Sequence, residues 1–166
     1  MLHLYCTKKL LDRIGEKPGM ESTGESGTKL AKWYATALFW KPQIALLVNE
    51  RTLLPVLMPL APAKTLATRF PVHLAEVLLL HGWRPDQIEG ELRQFDRYEL
   101  LKTANRSVLG IMNEFAFLAE THKHYHGTND LQRIALALAQ TPCKPIQFQS
   151  PSQLIAAIAV HGIDLH

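Results

Sequence analysis

Between Thr103 and Asn113 the chain reads Thr-Ala-Asn-Arg-Ser-Val-Leu-Gly-Ile-Met-Asn, at the point where a strand-like segment, Tyr98 to Lys102, gives way to a strongly helical one. A helix start carries unpaired backbone N–H groups and a partial positive charge. Arg106 adds a full charge there, and Asn105 and Ser107 add polar side chains. Such a junction serves either as a structural cap or as an anion site.

A second junction has the same character. Leu2 to Thr7 reads as a short strand, and Lys8 to Ile14 then shows helical spacing, with Leu10, Leu11 and Ile14 on one face. Thr7 suits the cap of that helix. If the two strands lie side by side and parallel, both helix starts point the same way. Thr7, Lys8, Lys9, Lys102, Asn105, Arg106 and Ser107 then converge on a site suited to a phosphate, a carboxylate or a nucleic-acid backbone. The alternative is plain capping, with Arg106 holding loop carbonyls or an acidic partner. Neither glycine-rich phosphate-loop pattern occurs, so nucleotide binding of that kind is not indicated.

Two further groups bear on chemistry. Asn113 falls among Val108, Leu109, Met112 and Phe115, and an asparagine near an apolar face needs hydrogen-bond partners. It is expected to hold a turn, with Asn49 as a candidate partner, or to read a ligand. His122-Lys123-His124-Tyr125-His126 sets His122 and His126 one helical turn apart, as two zinc ligands can be. Lys123 stands where a metallohydrolase helix carries its glutamate, and a lysine disfavours a cation. Histidines also suit the negative end of a helix dipole. No metal or other cofactor is expected. A nucleophile is no better supported: Ser107 lacks the G-x-S-x-G elbow, and Cys6 sits in a strand. The carboxylates Asp86, Glu89, Glu91, Asp96 and Glu99 read as solvated surface.

Cys6-Thr7-Lys8-Lys9-Leu10-Leu11, the strand at Trp33, Leu47-Val48-Asn49 and Asn105-Arg106-Ser107-Val108-Leu109-Gly110-Ile111-Met112-Asn113 follow one another in order. In this the chain resembles a family of uncharacterised bacterial domains, a domain of unknown function found alone and, in some proteins, joined to a plasmid-type open-reading-frame domain. The resemblance runs from the N-terminus to the neighbourhood of Tyr125 and weakens beyond Thr128. It implies a fold and carries no activity.

These residues need elements to position them. The chain has 166 residues, 47% hydrophobic and 20% charged, which suits one globular domain over residues 1–166. A net charge of +3 and a pI near 8.9 allow a polyanionic partner without requiring one. Cys6 and Cys143 lack metal spacing and read as buried thiols in a reducing compartment. We expect no secretory leader and no membrane span, hence a cytoplasmic protein.

Residues 15–28, rich in Gly, Ser and Glu, read as a flexible loop. Trp33 to Trp40, Gln43 to Val48 and Leu53 to Leu60 read as an antiparallel meander, the last strand at an edge because Pro55 and Pro59 cannot donate to a ladder. Helices are expected over Lys64 to His81, Arg84 to Phe95, Ser107 to His126, Leu131 to Gln140 and Ser150 to His161. The stops are Gly82, Gly127 and Gly162, and the caps are Asp130 and Ser150 or Ser152. The expectation is an α+β fold: a mainly antiparallel sheet of about five strands packed with helices, with residues 128–166 as a helical C-terminal extension. The preferred function is a non-enzymatic binding module for a phosphate-bearing ligand, nucleic acid or another protein. The competing readings are a metal-assisted hydrolase or nuclease using His122, His124 and His126, and an oligomer-forming domain using the apolar helix Leu154 to Val160.

Overall fold

The computed structural model describes residues 1–20, 29–127 and 130–161. Five strands, β1 (Leu2–Cys6), β2 (Lys32–Leu38), β3 (Ile44–Asn49), β4 (Pro55–Pro59) and β5 (Tyr98–Lys102), form one sheet in the order β4-β3-β2-β1-β5. The helices are α1 (Lys8–Ile14), α2 (Leu66–Leu80), α3 (Pro85–Leu92), α4 (Arg106–His126), α5 (Leu131–Leu138) and α6 (Pro151–His161). The fold is α+β.

The sheet is mixed, which corrects the expectation of a mainly antiparallel one. β2, β3 and β4 form the antiparallel meander, with β4 at the edge. β1, however, pairs parallel with both β2 and β5. Parallel neighbours need a crossover long enough to carry the chain back to the same end, and a helix usually supplies it. Here α1 lies between β1 and β2 in the sequence, and α2 and α3 lie between β4 and β5. β1 and β5 do lie side by side, in register from Leu2 opposite Tyr98 to Cys6 opposite Lys102.

Both faces of the sheet are covered, as the period of two along each strand requires. On one face Leu2, Leu4, Cys6, Trp33 and Leu47 pack against Leu10 and Ile14 of α1, Phe70 and Leu74 of α2, and Ile155 and Ile158 of α6. On the other face Tyr34, Leu46, Val48 and Leu57 pack against Val108, Met112 and Phe115 of α4 and Ile134 and Leu138 of α5. The apolar side of α6 therefore meets the chain's own core. It is tied there by Trp83 Nε1–H, which donates to the Ile155 carbonyl at 3.0 Å.

Helix ends follow local chemistry. The Asn105 side chain accepts from Ser107 N–H and Val108 N–H at 3.0 and 3.3 Å, and Asp130 caps α5 in the same way. Ser150 and Gln153 form a reciprocal capping box, with Ser150 Oγ accepting at 3.2 Å and Gln153 Oε1 accepting at 2.8 Å. Gly15 and Gly127 close α1 and α4 at positive φ, 80° and 58°. Pro71 lies inside α2. The flexible loop predicted over residues 15–28 is described only to Met20; there Gly19 N–H donates to the Leu100 carbonyl at 2.8 Å. The rest of that loop, and the stop predicted at Gly162, lie outside the described residues.

Candidate functional site

Of the three parallel strands, β1 and β5 end level and β2 runs on past them. Cys6 is level with Ala35 of β2 and with Lys102 of β5. β2 then runs on through Thr36, Ala37 and Leu38, still paired with β3. At about 3.3 Å per residue, β1 and β5 stop roughly 10 Å short of the end of β2. The chain leaves this step in two directions: from β1 into α1 on one face, and from β5 into α4 on the other. In open sheets, ligands settle where adjacent parallel strands send their connections to opposite faces.

The predicted junction residues lie on the segments that leave this step. Lys8, Lys9, Lys102, Asn105, Arg106 and Ser107 are exposed, and Thr7 is half-buried. Thr7 does not cap α1. Its hydroxyl pairs with that of Thr36 at 2.9 Å, because β2 runs past the end of β1 and brings Thr36 alongside. Asn105 does cap α4, and that occupies two of the N–H groups at the helix start. Its own backbone N–H donates to the Tyr34 hydroxyl at 2.9 Å, which pins the start of α4 onto β2. Tyr34 stacks on Tyr5, ring centroids 4.9 Å apart, and burial raises the pKa of both phenols. Arg106 is neither buried nor held by a carbonyl, and among the described residues no carboxylate pairs with it or with Lys8, Lys9 or Lys102. Lys9 Nζ lies 5.5 Å from the Phe39 ring centroid.

Asn113 does not belong to this group. It stands about 12 Å along α4 from the cap, at ~1.5 Å per residue. One residue past the buried Met112, it has turned off the apolar stripe and is exposed. It does not reach Asn49, which serves its own turn. Asn49 is 1% exposed. Its Oδ1 accepts from Arg51 N–H, Thr52 N–H and Thr52 Oγ1–H at 3.1, 2.9 and 3.0 Å, and its Nδ2–H donates to the Lys32 carbonyl at 3.2 Å.

His122 and His126 stack with centroids 5.3 Å apart beside a hollow of about 190 Å³ that Arg133, Ile134 and Ala137 also line. His124 turns to the Tyr125 ring instead. Among the described residues no third His, Cys, Asp or Glu joins them to form a metal-binding group.

Two arrangements escape sequence reasoning. His3 is fully buried and its Nδ1 lies 2.6 Å from Glu99 Oε1, a pair made by the parallel register of β1 and β5. Arg69 wraps the turn after β4, donating to the carbonyls of Pro59, Leu60 and Pro62 and to Thr65 Oγ1 at 2.9–3.0 Å. The four-residue spacing from Thr65 to Arg69 is a signal for the helical Thr65 contact only; the carbonyls are gathered by the turn.

No curated protein and no solved structure matches this chain. A family model matches residues 3–154, a span that includes the ends of β1 and β5, the whole of α4 and most of the C-terminal segment. The chain belongs to the family described as "Domain of unknown function (DUF6933)".

Proposed function

We propose that this protein is a non-enzymatic binding module whose ligand is an anion of the phosphate type, held at the step where β1 and β5 stop short of β2. One observation carries the reading: two adjacent parallel strands, β1 and β5, end level with each other and short of β2, lead to helices on opposite faces, and place Lys8, Lys9, Lys102 and Arg106 at their ends and at the starts of those helices, exposed and with no carboxylate partner among the described residues. A lysine ammonium and an arginine guanidinium recognise a phosphate in complementary ways, as a point charge and as a planar fork. Thr7 and Asn105 serve the scaffold, since their side chains are engaged with Thr36 and with the start of α4. Cys6 and Cys143, both free and buried, suit a reducing compartment, and the cytoplasm is the proposed location on that ground.

The test is Arg106→Glu, followed by calorimetric titration with inorganic phosphate and pyrophosphate at two salt concentrations and by a thermal melt. A charge-assisted contact is worth roughly 1.5–3 kcal/mol, so affinity should fall about tenfold to hundredfold. Stability should change by no more than about 0.5 kcal/mol, because the side chain is exposed. A native protein that binds neither anion overturns the reading, as does a variant that binds normally but melts much earlier.

A further inference from the structure

The step is part of a longer basic rim. β4 runs in the same direction as β1, β2 and β5, so four strands end, and β3 begins, along one side of the sheet. The segments at that rim, residues 7–11, 38–44, 59–69 and 102–109, hold seven Lys and Arg and no Asp or Glu. Seven is more than twice the net charge of the whole chain, so the remainder is net acidic and the positive charge is gathered at one end. The nearest carboxylates in sequence are Asp12, further along α1, Glu99, three residues before Lys102 in β5 and engaged with His3, and Glu114, further along α4.

Of the seven, Arg69 is committed to the carbonyls of its turn. Lys8, Lys9, Lys41, Lys64, Lys102 and Arg106 are exposed. The 3-10 turn carrying Lys64 (Ala63–Thr65) packs against α1, which joins the two basic stretches. Two aromatics interrupt the cations. Phe39 is 57% exposed beside Lys9, and Trp40 is half-buried under Lys123 Nζ, 4.6 Å from its centroid, at a groove of about 170 Å³ shared with Pro42 and Pro59.

We propose that this rim binds single-stranded nucleic acid. The inference rests on the anion site proposed above and extends it along the rim. Cations spaced along one edge match a chain of phosphates, whereas the exposed Phe39 ring offers a flat face on which an unpaired base stacks, and the groove beside Trp40 offers an apolar wall next to it. A duplex keeps its bases stacked and cannot use that face. Five strands about 4.8 Å apart give an edge of roughly 20 Å, within reach of the smallest single-strand sites, of about four nucleotides.

The experiment is fluorescence anisotropy of the full chain with labelled oligo-U and oligo-dT of about twelve nucleotides, a duplex of equal length, polyglutamate and phosphatidylglycerol vesicles, over a salt series. Single strands should bind at least tenfold tighter than the duplex. Lys41→Glu with Lys64→Glu should weaken oligonucleotide binding and lower the salt slope by about 1.4, two contacts at ~0.7 each, while pyrophosphate binding is unchanged. Phe39→Ala should weaken single-strand binding at least fivefold without changing that slope. Thermal melts of each variant confirm that these exposed positions leave the fold intact. Equal binding of duplex, polyglutamate or vesicles overturns the inference. Pyrophosphate binding without oligonucleotide binding overturns it and leaves the anion site standing, whereas loss of both removes the anion site as well.

Discussion

Asn49 should be among the most costly single polar side chains to remove from this protein, and Asn113 among the cheapest. Replacing Asn49 with alanine deletes three hydrogen bonds accepted by its Oδ1 and one donated by its Nδ2. The site is closed to water: Asn49 is 1% exposed and Thr52 fully buried. The groups left behind, chiefly Thr52 N–H and the Thr52 hydroxyl, have little access to replacement partners. Arg51 is exposed, and its N–H can turn to solvent. The same turn holds Leu53 at φ 61°, a conformation costly for a leucine, through Leu53 N–H donating to the Asn49 carbonyl at 2.9 Å. At about 0.5–1.5 kcal/mol net per bond, and more for an orphaned buried donor, Asn49→Ala should cost about 3 kcal/mol. For a domain of this size each kcal/mol is worth about 2–4 °C, so Tm should drop by roughly 6–12 °C. Asn49→Asp keeps the acceptor but loses the Nδ2 donor and buries a charge, and it should fare no better. Asn113→Ala, on the exposed side of α4, should stay within about 0.5 kcal/mol, with a small gain in helix propensity. Urea denaturation with a shared m value, together with calorimetric melts, measures both. A loss below about 1 kcal/mol for Asn49→Ala would refute the turn accounting, and an equal loss for Asn113→Ala would refute its assignment to solvent.

Two other outcomes follow from buried titratable groups. His81 ends α2 with Nε2 buried and without a hydrogen-bond partner among the described residues, and burial holds its pKa below the ordinary 6.5. The unfolded chain therefore takes up this proton first as pH falls. Stability should decline below about pH 6.5 and level off once the folded-state value is passed; urea midpoints for His81→Gln should lack that part of the decline, and an unchanged profile would refute the assignment. Burial pushes the Cys6 thiol up to about 12 and the Cys143 thiol up to about 11. Neither should react with a disulfide reagent in the native protein near neutral pH, and both should react in denaturant; one fast-reacting thiol in the native state would refute this.

What the amino-acid sequence determined alone is mostly what neighbours along the chain decide. Asn105, Asp130 and Ser150 cap helices through bonds to N–H groups two or three residues on. The reach is so short that the local pattern suffices. The antiparallel meander is equally local, since short turns join its strands. The tertiary structure decided everything that depends on crossovers. Whether β1 lies parallel between β2 and β5 depends on where α1, α2 and α3 pack, which no local periodicity encodes. From that single placement come the His3–Glu99 pair, the diversion of the Thr7 hydroxyl to Thr36, and the departure of α1 and α4 to opposite faces. It also separates Asn113 from Asn49: both belong to polar-in-apolar patterns, but helical rotation carries one to solvent while strand pairing seals the other in a turn. The cations of the rim are visible one at a time in the sequence, yet only the strand directions bring Lys8, Lys41, Lys64 and Lys102 to the same edge, because direction is a property of the assembled sheet and not of any segment within it.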